Sequence, residues 1–360
     1  MPPSSQPATF PYRPELDSFR AIAVLLVIVQ HWRPSLTGQL DTGTIGVTGF
    51  FVLSGFLITT ILSRERQINT FQKSIKAFYL RRTFRIIPAY YVAVLTAWLL
   101  NLSYVRGKLP WFLLQGTNFL FFHEQAWGEG TGHFWTLAVE EQFYVVWPLV
   151  ILLTPRRYLT GLLSGLIVLG PLLRWLLVSY SGTSYALVLL PASIDLFASG
   201  ALLSFVSTSL RLPPLYLLTI SIILSLLYLV LAFSTYSLNA VALSPSLLAL
   251  ASAALLGTLL TMQTSKLQRF VASPVLVFLG RISYSLYLYH LFLPVILHRI
   301  LHHVGLRVAN GMRYSSVIAW EHSPAALVTM LIGLLLIATL SWRLIEQPLK
   351  KLGRHLASAN

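Results

Sequence analysis

Stretches of about 20 mostly apolar residues recur along this chain, and that length is what an α-helix needs to cross the hydrocarbon core of a bilayer. Ten of them lie at roughly 19–38, 45–62, 86–103, 134–153, 158–178, 186–207, 214–234, 240–262, 275–300 and 324–344. The composition agrees, because 56% of the residues are hydrophobic, 10% are charged and the mean hydropathy is +0.71. Since backbone polar groups inside a bilayer need internal partners, we predict an all-α fold, a polytopic membrane bundle of about ten transmembrane helices.

Basic residues divide unevenly between the two sides of such a bundle. Ten spans put both termini on one side, and nineteen of the 26 Lys and Arg residues then fall on that side. Since cytoplasmic loops carry an excess of Lys and Arg, we predict that both termini are cytoplasmic (N-in, C-in). The net charge of +15 is then an orientation signal and a contact for anionic membrane lipids, so we expect no nucleic-acid partner.

The membrane domain is predicted to occupy nearly the whole chain. We expect a proline-rich N-terminal tail at 1–15, a membrane domain at 16–349 and a cytoplasmic C-terminal tail at 350–360. Apolar residues three to four positions apart predict a cytoplasmic amphipathic helix at about 70–85. The apolar run 109–122 is broken by glycine and asparagine, which predicts an interfacial or re-entrant segment rather than a span.

Several classes of chemistry find no support in the sequence. The chain has no cysteine, which excludes disulfides, thiolate metal sites and cysteine nucleophiles. It also lacks a phosphate-binding glycine loop, an HExxH pair and a GxSxG nucleophile elbow. We therefore expect no metal and no bound cofactor.

Ionisable side chains inside the predicted spans are the main candidates for chemistry. Each costs at least about 2.5 kcal/mol at the bilayer centre, so it needs a partner, water or a function. This set comprises His31, Glu140, Glu141, Arg174, Asp195, His290 and Glu346.

Arg20 and His31 lie eleven residues apart in the first span, which is about 16 Å and three full turns of a helix, so they share one face. With Arg20 at the cytoplasmic interface, we predict His31 near the bilayer midplane. Desolvation there keeps an imidazole neutral and able to accept a proton from a hydroxyl. The alternative is a histidine that only forms a hydrogen bond between helices.

Residues 132–150 place a polar stripe on an otherwise apolar helix. His133, Glu140, Glu141 and Tyr144 follow the three- and four-residue spacing of one helix face. Adjacent residues point about 100° apart, so one glutamate can face a cavity while the other meets a neighbouring helix. Glu140 and Glu141 are therefore candidates to support an imidazole, to bind an acceptor hydroxyl or to pair with Arg20. The alternative is a glutamate pair near the water interface.

Three arginines, Arg81, Arg82 and Arg85, cluster where the amphipathic helix leads into the third span. Guanidinium groups bind phosphate oxygens bidentately, which makes this cluster a candidate phosphate site. The alternative is contact between juxtamembrane arginines and anionic lipid headgroups.

Two groups of polar residues in the later spans can be either structural or functional. Asp195 lies among small residues and needs a cation or a donor, and Arg174 is the candidate partner in a structural ion pair. Tyr284, Tyr287 and His290 share a helix face, where they either line a polar cavity or form an interfacial belt.

Two further polar residues are predicted to be structural. Glu346 lies close to Lys350 and Lys351, and we expect it to pair with them. Ser54 is a lone serine in the second span, and such a residue usually packs or bonds the backbone.

Read in order, these segments resemble acyltransferase family 3, a family of integral-membrane O-acyltransferases. The resemblance is carried by LDSFRAIAVLLVIVQHW (16–32), GFFVLSGFLIT (49–59), FYLRRTFRIIPAYY (78–91), HFWTLAVEEQFYVVWPL (133–149), SIDLFASGALL (193–203), FLGRISYSLYLYH (278–290) and IEQP (345–348). The motifs run along nearly the whole chain, and their order and spacing are more specific than any one of them.

The resemblance implies functions for individual residues. The family motif of an arginine, ten residues and a histidine falls on Arg20 and His31, with His31 catalytic. Its arginine pair separated by two residues falls on Arg82 and Arg85 and is implicated in acyl-CoA binding. The glutamate of its WxLxxE pattern falls on Glu140.

The chain departs from the family pattern at one place. Many members carry an acidic residue just before the two phenylalanines of FFVLSG, whereas this chain has Val47, Thr48 and Gly49 there. No carboxylate can therefore act at that position. We expect a stand-alone member, without the C-terminal esterase-like domain that some members carry.

The resemblance implies transfer of an acyl group, acetyl by default, from cytoplasmic acyl-CoA as co-substrate to a hydroxyl of a carbohydrate or lipid-linked glycan. The membrane is expected to be the bacterial cytoplasmic (inner) membrane. In this hypothesis His31 acts as base or acyl carrier and Glu140 orients it. The candidates for binding substrate or acyl-CoA are Arg20, Arg81, Arg82, Arg85, Glu141, Tyr144, Asp195, Tyr287 and His290.

A proton-coupled secondary transporter or flippase of a polar or lipid-linked substrate is the alternative. His31, Glu140 and Asp195 would then relay protons. Broken helices paired between inverted halves would favour it, and the sequence shows no such pairing.

Overall fold

The computed structural model of the protein describes residues 12–128, 130–209, 212–233, 237–262, 266–303 and 323–358. Every regular element within these residues is a helix, which confirms the all-α prediction. The predicted tail residues 1–11 and 359–360 lie outside the described residues, as do three basic residues used for the orientation, Arg211, Arg307 and Arg313.

The helices alternate between long ones and groups of short ones. In chain order they are α1 (Pro14–Trp32), α2 (Pro34–Thr37), α3 (Thr42–Ile68), α4 (Phe71–Leu99), α5 (Ser103–Gly107), α6 (Leu109–Leu113), α7 (Thr117–Glu124), α8 (Phe134–Leu153), α9 (Arg156–Ser181), α10 (Ile194–Ser209), α11 (Pro214–Phe233), α12 (Leu238–Thr261), α13 (Lys266–Val271), α14 (Pro274–Arg281), α15 (Ser283–Tyr289), α16 (Phe292–His303), α17 (Pro324–Ser341) and α18 (Gln347–Ser358). Two 3-10 turns, Ser184–Val188 and Leu190–Ser193, precede α10, and a π-helical turn, Trp342–Glu346, joins α17 to α18.

Six helices in the described part of the chain are long and apolar enough to cross a bilayer, namely α3, α8, α9, α11, α12 and α17 with the helical turns that follow it. The apolar helix Leu190–Val206 is shorter. These helices confirm a polytopic membrane bundle. The remaining predicted spans coincide with α1, which carries Glu15, Asp17 and Arg20 in its first two turns, with α4, with α10 and with the segment 274–303.

The span predicted at 275–300 is not one unbroken helix. The chain forms three consecutive helices there, α14 to α16, with interruptions at Ile282 and at His290–Leu291. Non-helical backbone is tolerated inside a membrane bundle where it is buried in protein or lines a cavity. Here the indole N–H of Trp32 donates a 2.9 Å hydrogen bond to the carbonyl of His290. The last residue of α1 therefore supplies a hydrogen bond to a backbone carbonyl at the interruption.

The amphipathic helix predicted at 70–85 and the third span form one continuous helix, α4. Its N-terminal half is held against two neighbours, because Arg81 pairs with Glu65 of α3 at 2.8 Å and the Tyr79 hydroxyl donates to the Val145 carbonyl of α8 at 2.8 Å. The residues predicted as a tail from 350 onward lie in α18 as far as Ser358, and α18 packs against α4.

The backbones of α3 and α10 touch where the two helices cross, because each helix has a glycine facing the other. A Cβ atom at Gly55 would overlap the carbonyl of Phe197, and one at Gly200 would overlap the carbonyl of Val52. Small residues allow this approach in membrane bundles. The crossing fixes the turn of α3 that carries Ser54.

The run 109–122, predicted as interfacial or re-entrant, forms two short helices, α6 and α7, neither of which is long enough to span. The ammonium of Lys108 and the hydroxyl of Tyr104 both donate to Glu124 at the end of α7, and together they lower the pKa of that carboxyl. Asn118 exchanges two hydrogen bonds with Gln142 of α8. The bonds to Glu124 join the end of α7 to the preceding segment, and the Asn118–Gln142 pair holds the start of α7 against the middle of α8.

Candidate active site

A narrow cavity, here called the arginine cavity, opens among α1, α3, α4, α8 and α15. Its volume is about 80 Å³. Its polar lining consists of Arg20, Ser54, Arg82, Arg85, Thr136, Glu140, Tyr144, Ser283, Tyr284 and Tyr287. The three guanidinium groups come from the side of the bundle predicted to be cytoplasmic.

A second and larger cavity, the histidine cavity, has a volume of about 600 Å³. Its polar and aromatic lining consists of Gln30, His31, Asp41, Thr44, Thr48, Phe51, Trp127, His133, Trp135, Arg174, Ser184, Ser193 and Tyr287. Many of these residues come from the ends of helices and from connections on the side predicted to be extracytoplasmic. A cavity of this size and mixed lining is typical of a ligand site.

The two cavities are adjacent inside the bundle. Val47, Phe51 and Tyr287 line both of them. A small group of side chains therefore separates the arginines from His31. Val47 stands in the segment where the chain departs from the family pattern, so an apolar residue occupies this boundary.

His31 lies in the last turn of α1, which ends at Trp32 because Pro34 follows. The predicted span 19–38 placed His31 near the bilayer midplane and screened it from solvent. The residue is accessible and faces the histidine cavity, which corrects the expectation that it is screened from solvent, while its depth in the bilayer stays a prediction. Arg20 and His31, which were predicted to share one face of the first span, line different cavities: Arg20 lines the arginine cavity and His31 the histidine cavity.

The His31 imidazole has two close partners. Its Nδ1 lies 2.9 Å from the carbonyl oxygen of Val27, one turn earlier on α1. The same Nδ1 lies 3.3 Å from Nε2 of His290, and the two ring centroids are 5.0 Å apart. A carbonyl oxygen only accepts hydrogen bonds, so Nδ1 carries the hydrogen and Nε2 keeps its lone pair.

His133 is a site residue that the sequence did not single out as a candidate. Its ring centroid lies 4.8 Å from that of His290 and 5.5 Å from that of Tyr287. His31, His290 and His133 thus form a row of three imidazoles beside the histidine cavity. The only sequence signal for His133 was its place at the start of the polar stripe on α8.

Glu140 lies in the arginine cavity and not beside His31. The Ser54 hydroxyl donates to it at 2.7 Å and lies 3.3 Å from the Tyr144 hydroxyl. The Arg82 guanidinium sits over the Tyr144 ring, 4.9 Å from its centroid. The geometry therefore gives no support to Glu140 as the residue that orients His31, and Ser54 bonds a carboxylate rather than the backbone.

The arginine cluster divides into two parts. Arg82 and Arg85 face the arginine cavity together with Arg20, whose Nη1 is 3.1 Å from Asp17 Oδ1. Arg81 pairs with Glu65 instead and does not line the cavity. The division follows from helix geometry, since residues three apart share a face and adjacent residues do not.

Two other glutamates lie outside the cavities. Glu141 lines neither cavity, and its Oε1 is buried without a hydrogen-bond partner in the described part of the chain. Glu346 was predicted to pair with lysines, but it accepts a hydrogen bond from the Ser285 hydroxyl. The carboxyl is thereby bonded to α15, and no ion pair within 4 Å joins it to Lys350 or Lys351 in the described part of the chain.

Asp195 forms an ion pair with Arg174, which agrees with the structural interpretation of this residue rather than with substrate binding. Arg174 binds both of its oxygens, at 2.6 and 2.9 Å, and Ser246 donates to it at 2.6 Å. The side chains of Arg174 and Asp195 are 1% and 0% exposed. These bonds join α9, α10 and α12, so both acceptor oxygens of Asp195 are occupied and a contact with substrate is not supported.

Tyr287 and Tyr284 line a polar cavity rather than an interfacial belt. Tyr284 donates to the Ile86 carbonyl at 3.2 Å, and the Tyr287 hydroxyl lies 2.6 Å from Thr136 Oγ1. Their face of α15 ends at His290, as the spacing predicted.

The fold and these cavities define a polytopic α-helical membrane protein in which a cationic cavity adjoins a histidine-lined one. A family model described as an acyltransferase domain matches residues 13–343. The chain belongs to this acyltransferase family.

Three relatives share part of the chain. Peptidoglycan O-acetyltransferase OatA of Listeria monocytogenes is 32% identical over 225 residues, which cover 56% of this chain and 35% of that protein. A putative O-acetyltransferase of Staphylococcus aureus is 37% identical over 171 residues, 42% and 27% of the two chains. Putative peptidoglycan O-acetyltransferase YrhL of Bacillus subtilis is 36% identical over 154 residues, 39% and 24%.

The matched region covers about a quarter to a third of the length of these relatives. No solved structure shows a significant match to the chain.

Proposed function

We propose that this protein is a membrane O-acyltransferase that moves an acyl group, acetyl by default, from cytoplasmic acyl-CoA to a hydroxyl of a carbohydrate acceptor. The observation that carries the proposal is the adjacency of the arginine cavity and the histidine cavity across Val47, Phe51 and Tyr287. One cavity supplies cations, the other supplies a base, and only a few side chains separate them. The proposed location is the bacterial cytoplasmic membrane.

The arginine cavity fits the phosphate-bearing donor. Arg20, Arg82 and Arg85 converge there, and guanidinium groups bind phosphate oxygens with charge-assisted hydrogen bonds. The cavity is too narrow for a nucleotide, so the nucleotide would lie at its mouth and the slender pantetheine arm would enter. The thioester would then reach the boundary residues from the arginine side.

The histidine cavity fits a polar acceptor. Trp127 and Trp135 offer ring faces, and Gln30, Asp41 and Thr44 offer hydrogen-bonding groups beside His31. Ring faces combined with such groups suit a sugar, whose apolar faces and hydroxyls need both kinds of contact. Two of the relatives are named as peptidoglycan O-acetyltransferases, which makes a cell-wall glycan the acceptor we propose.

His31 is the proposed general base. With its hydrogen on Nδ1, Nε2 accepts the proton of the acceptor hydroxyl as the oxygen attacks the thioester carbonyl. The carbon–sulfur bond breaks, and the departing CoA thiolate takes that proton from the imidazolium. The second route passes through an acyl-imidazole: Nε2 attacks the thioester carbonyl and the carbon–sulfur bond breaks to release CoA thiolate. The acceptor hydroxyl then takes the acyl group as the carbon–nitrogen bond breaks, and its proton passes to the thiolate.

A transporter or flippase is the second candidate, because the segment 274–303 is an interrupted helix next to a polar cavity. The two functions differ in what they require. A transporter needs two sealed compartments, whereas an enzyme works in detergent micelles.

The test uses purified protein in detergent micelles, [14C]acetyl-CoA and soluble muropeptides as acceptor. We expect radiolabel on the glycan, in an ester bond that mild alkali removes. No transfer to muropeptides, to chito-oligosaccharides or to lipid-linked glycan precursors, with the protein shown to be folded, would contradict the proposal. Movement of label only in sealed proteoliposomes would favour the transporter.

A further inference from the structure

We propose that His290 is a positioning residue that holds His31 in its catalytic tautomer and supports the imidazolium formed during proton transfer. The inference rests on the proposed function, since it concerns the base of that reaction. It is carried by the hydrogen bonds of the imidazole row. In each of the three rings, one nitrogen lies within hydrogen-bond distance of a backbone carbonyl, which shows that this nitrogen carries the hydrogen.

The carbonyl contacts fix where each hydrogen lies. His31 Nδ1 is 2.9 Å from Val27 O, His290 Nδ1 is 2.7 Å from Tyr287 O, and His133 Nε2 is 3.1 Å from Leu288 O. Because carbonyl oxygens only accept, the nitrogen in each pair is the donor. The other nitrogen of each neutral ring is then left as an acceptor.

This assignment makes the His31–His290 contact directional. His290 has its hydrogen on Nδ1, so its Nε2 is an acceptor, and it lies 3.3 Å from the Nδ1–H of His31. That N–H is therefore shared between Val27 O and His290 Nε2. Both acceptors hold the hydrogen on Nδ1, and both strengthen their bond when His31 gains a proton at Nε2.

The surroundings of His290 keep water from taking its place as the acceptor for the His31 N–H. Its side chain is 0% exposed, and the Trp32 indole holds its backbone carbonyl at 2.9 Å. The titratable groups that face the pair are His133 from α8, Tyr287 from α15 and Asp41 across the histidine cavity. His133 Nδ1 is buried and has no hydrogen-bond partner among the described residues, so it does not compete for the His31 hydrogen.

The kinetic test compares His290→Gln, whose amide oxygen can replace the Nε2 acceptor, with His290→Leu, which has none. In His290→Leu we expect kcat to fall at least about tenfold, with the KM for acetyl-CoA unchanged. The acid limb of kcat should move to lower pH, since the protonated form of His31 loses an acceptor. His290→Gln should recover most of the rate and return the limb toward its original position.

A second measurement does not depend on turnover. Nitrogen chemical shifts of [15N]histidine-labelled wild-type protein, with the His31 signals assigned by their loss in His31→Ala, report which ring nitrogen carries the hydrogen. We expect Nδ1–H for His31. An Nε2–H tautomer, or equal loss of rate in both His290 variants with an unmoved acid limb, would overturn the inference. Wild-type protein that transfers no acetyl group but shows Nδ1–H would instead remove the proposed function.

Discussion

The Ser54 hydroxyl on α3 donates a 2.7 Å hydrogen bond to the Glu140 carboxylate on α8. This bond lies in the arginine cavity, on the other side of the boundary from His31. The most strongly patterned glutamate of the chain is thus built into the proposed acyl-CoA side of the site. Its nearest cationic neighbour in that cavity is the Arg82 guanidinium, which sits over Tyr144.

Replacing Ser54 with alanine should destabilise the bundle. Glu140 loses one hydrogen-bond donor, and a hydrogen bond to a charged group contributes about 1.5–3 kcal/mol. The control is Ser63→Ala on the same helix, since Ser63 Oγ is buried without a hydrogen-bond partner in the described part of the chain. Apparent Tm in detergent at one scan rate should fall for Ser54→Ala only, and equal values would show that the Ser54 bond contributes nothing.

Glu140→Gln should leave the acid limb of the kcat profile where it is. Glu140 bonds Ser54 and makes no hydrogen bond to His31, so its charge does not orient the base. The profile of acetyl transfer against pH checks this. If the acid limb moved as it is expected to move in His290→Leu, Glu140 would influence His31, as its sequence pattern implied.

Arg82→Gln and Arg85→Gln should each raise the KM for acetyl-CoA about tenfold or more, because a hydrogen bond to a charged group contributes about 1.5–3 kcal/mol and 1.4 kcal/mol corresponds to a factor of ten. The matched control is Arg81→Gln on the same helix, since Arg81 pairs with Glu65 outside the cavity. Steady-state kinetics over a range of acetyl-CoA concentrations measure the KM of each variant and of the control. If all three variants behaved alike, the arginines would be contacts for lipid headgroups.

Gly170→Ala should disrupt the ion pair between Arg174 and Asp195. A Cβ atom at position 170 would overlap the Asp195 side chain, and separating a buried pair costs about 3–5 kcal/mol. Gly165→Ala on the same helix is the control, because a Cβ there meets nothing within 4 Å. Apparent Tm should fall sharply for Gly170→Ala and stay level or rise slightly for Gly165→Ala, since alanine favours helix. A level Tm for both would refute a structural function for Asp195.

Much of the site could be predicted because a membrane makes ionisable residues conspicuous. Arg20, Arg82 and Glu140 stand out against apolar surroundings, and their spacing gives the helix face that each occupies. The spacing does not say which helix lies opposite. Glu140 was therefore placed beside His31, whereas the neighbour across that face is Ser54 of α3.

The imidazole row could not be predicted for a different reason. His133 and His290 are far apart in the sequence, and they meet because the helix through 275–300 is interrupted at His290. Pro294 cannot donate a hydrogen bond to the His290 carbonyl four residues earlier, so the break itself has a local signal, but that signal does not show which rings lie opposite. The end of α1 just after His31 could be predicted from Arg33 and Pro34, so the predicted span 19–38 was drawn too long.

The most direct test of the account is acetyl transfer by His31→Ala, with His123→Ala as an exposed control that lines neither cavity. Purified variants in micelles would be assayed for transfer from [14C]acetyl-CoA, and acetyl-CoA binding would be measured by calorimetry. We predict that His31→Ala loses transfer at least about a hundredfold and still binds acetyl-CoA, because the arginine cavity is intact. Transfer by His31→Ala at the rate of the wild type and of His123→Ala would contradict the account.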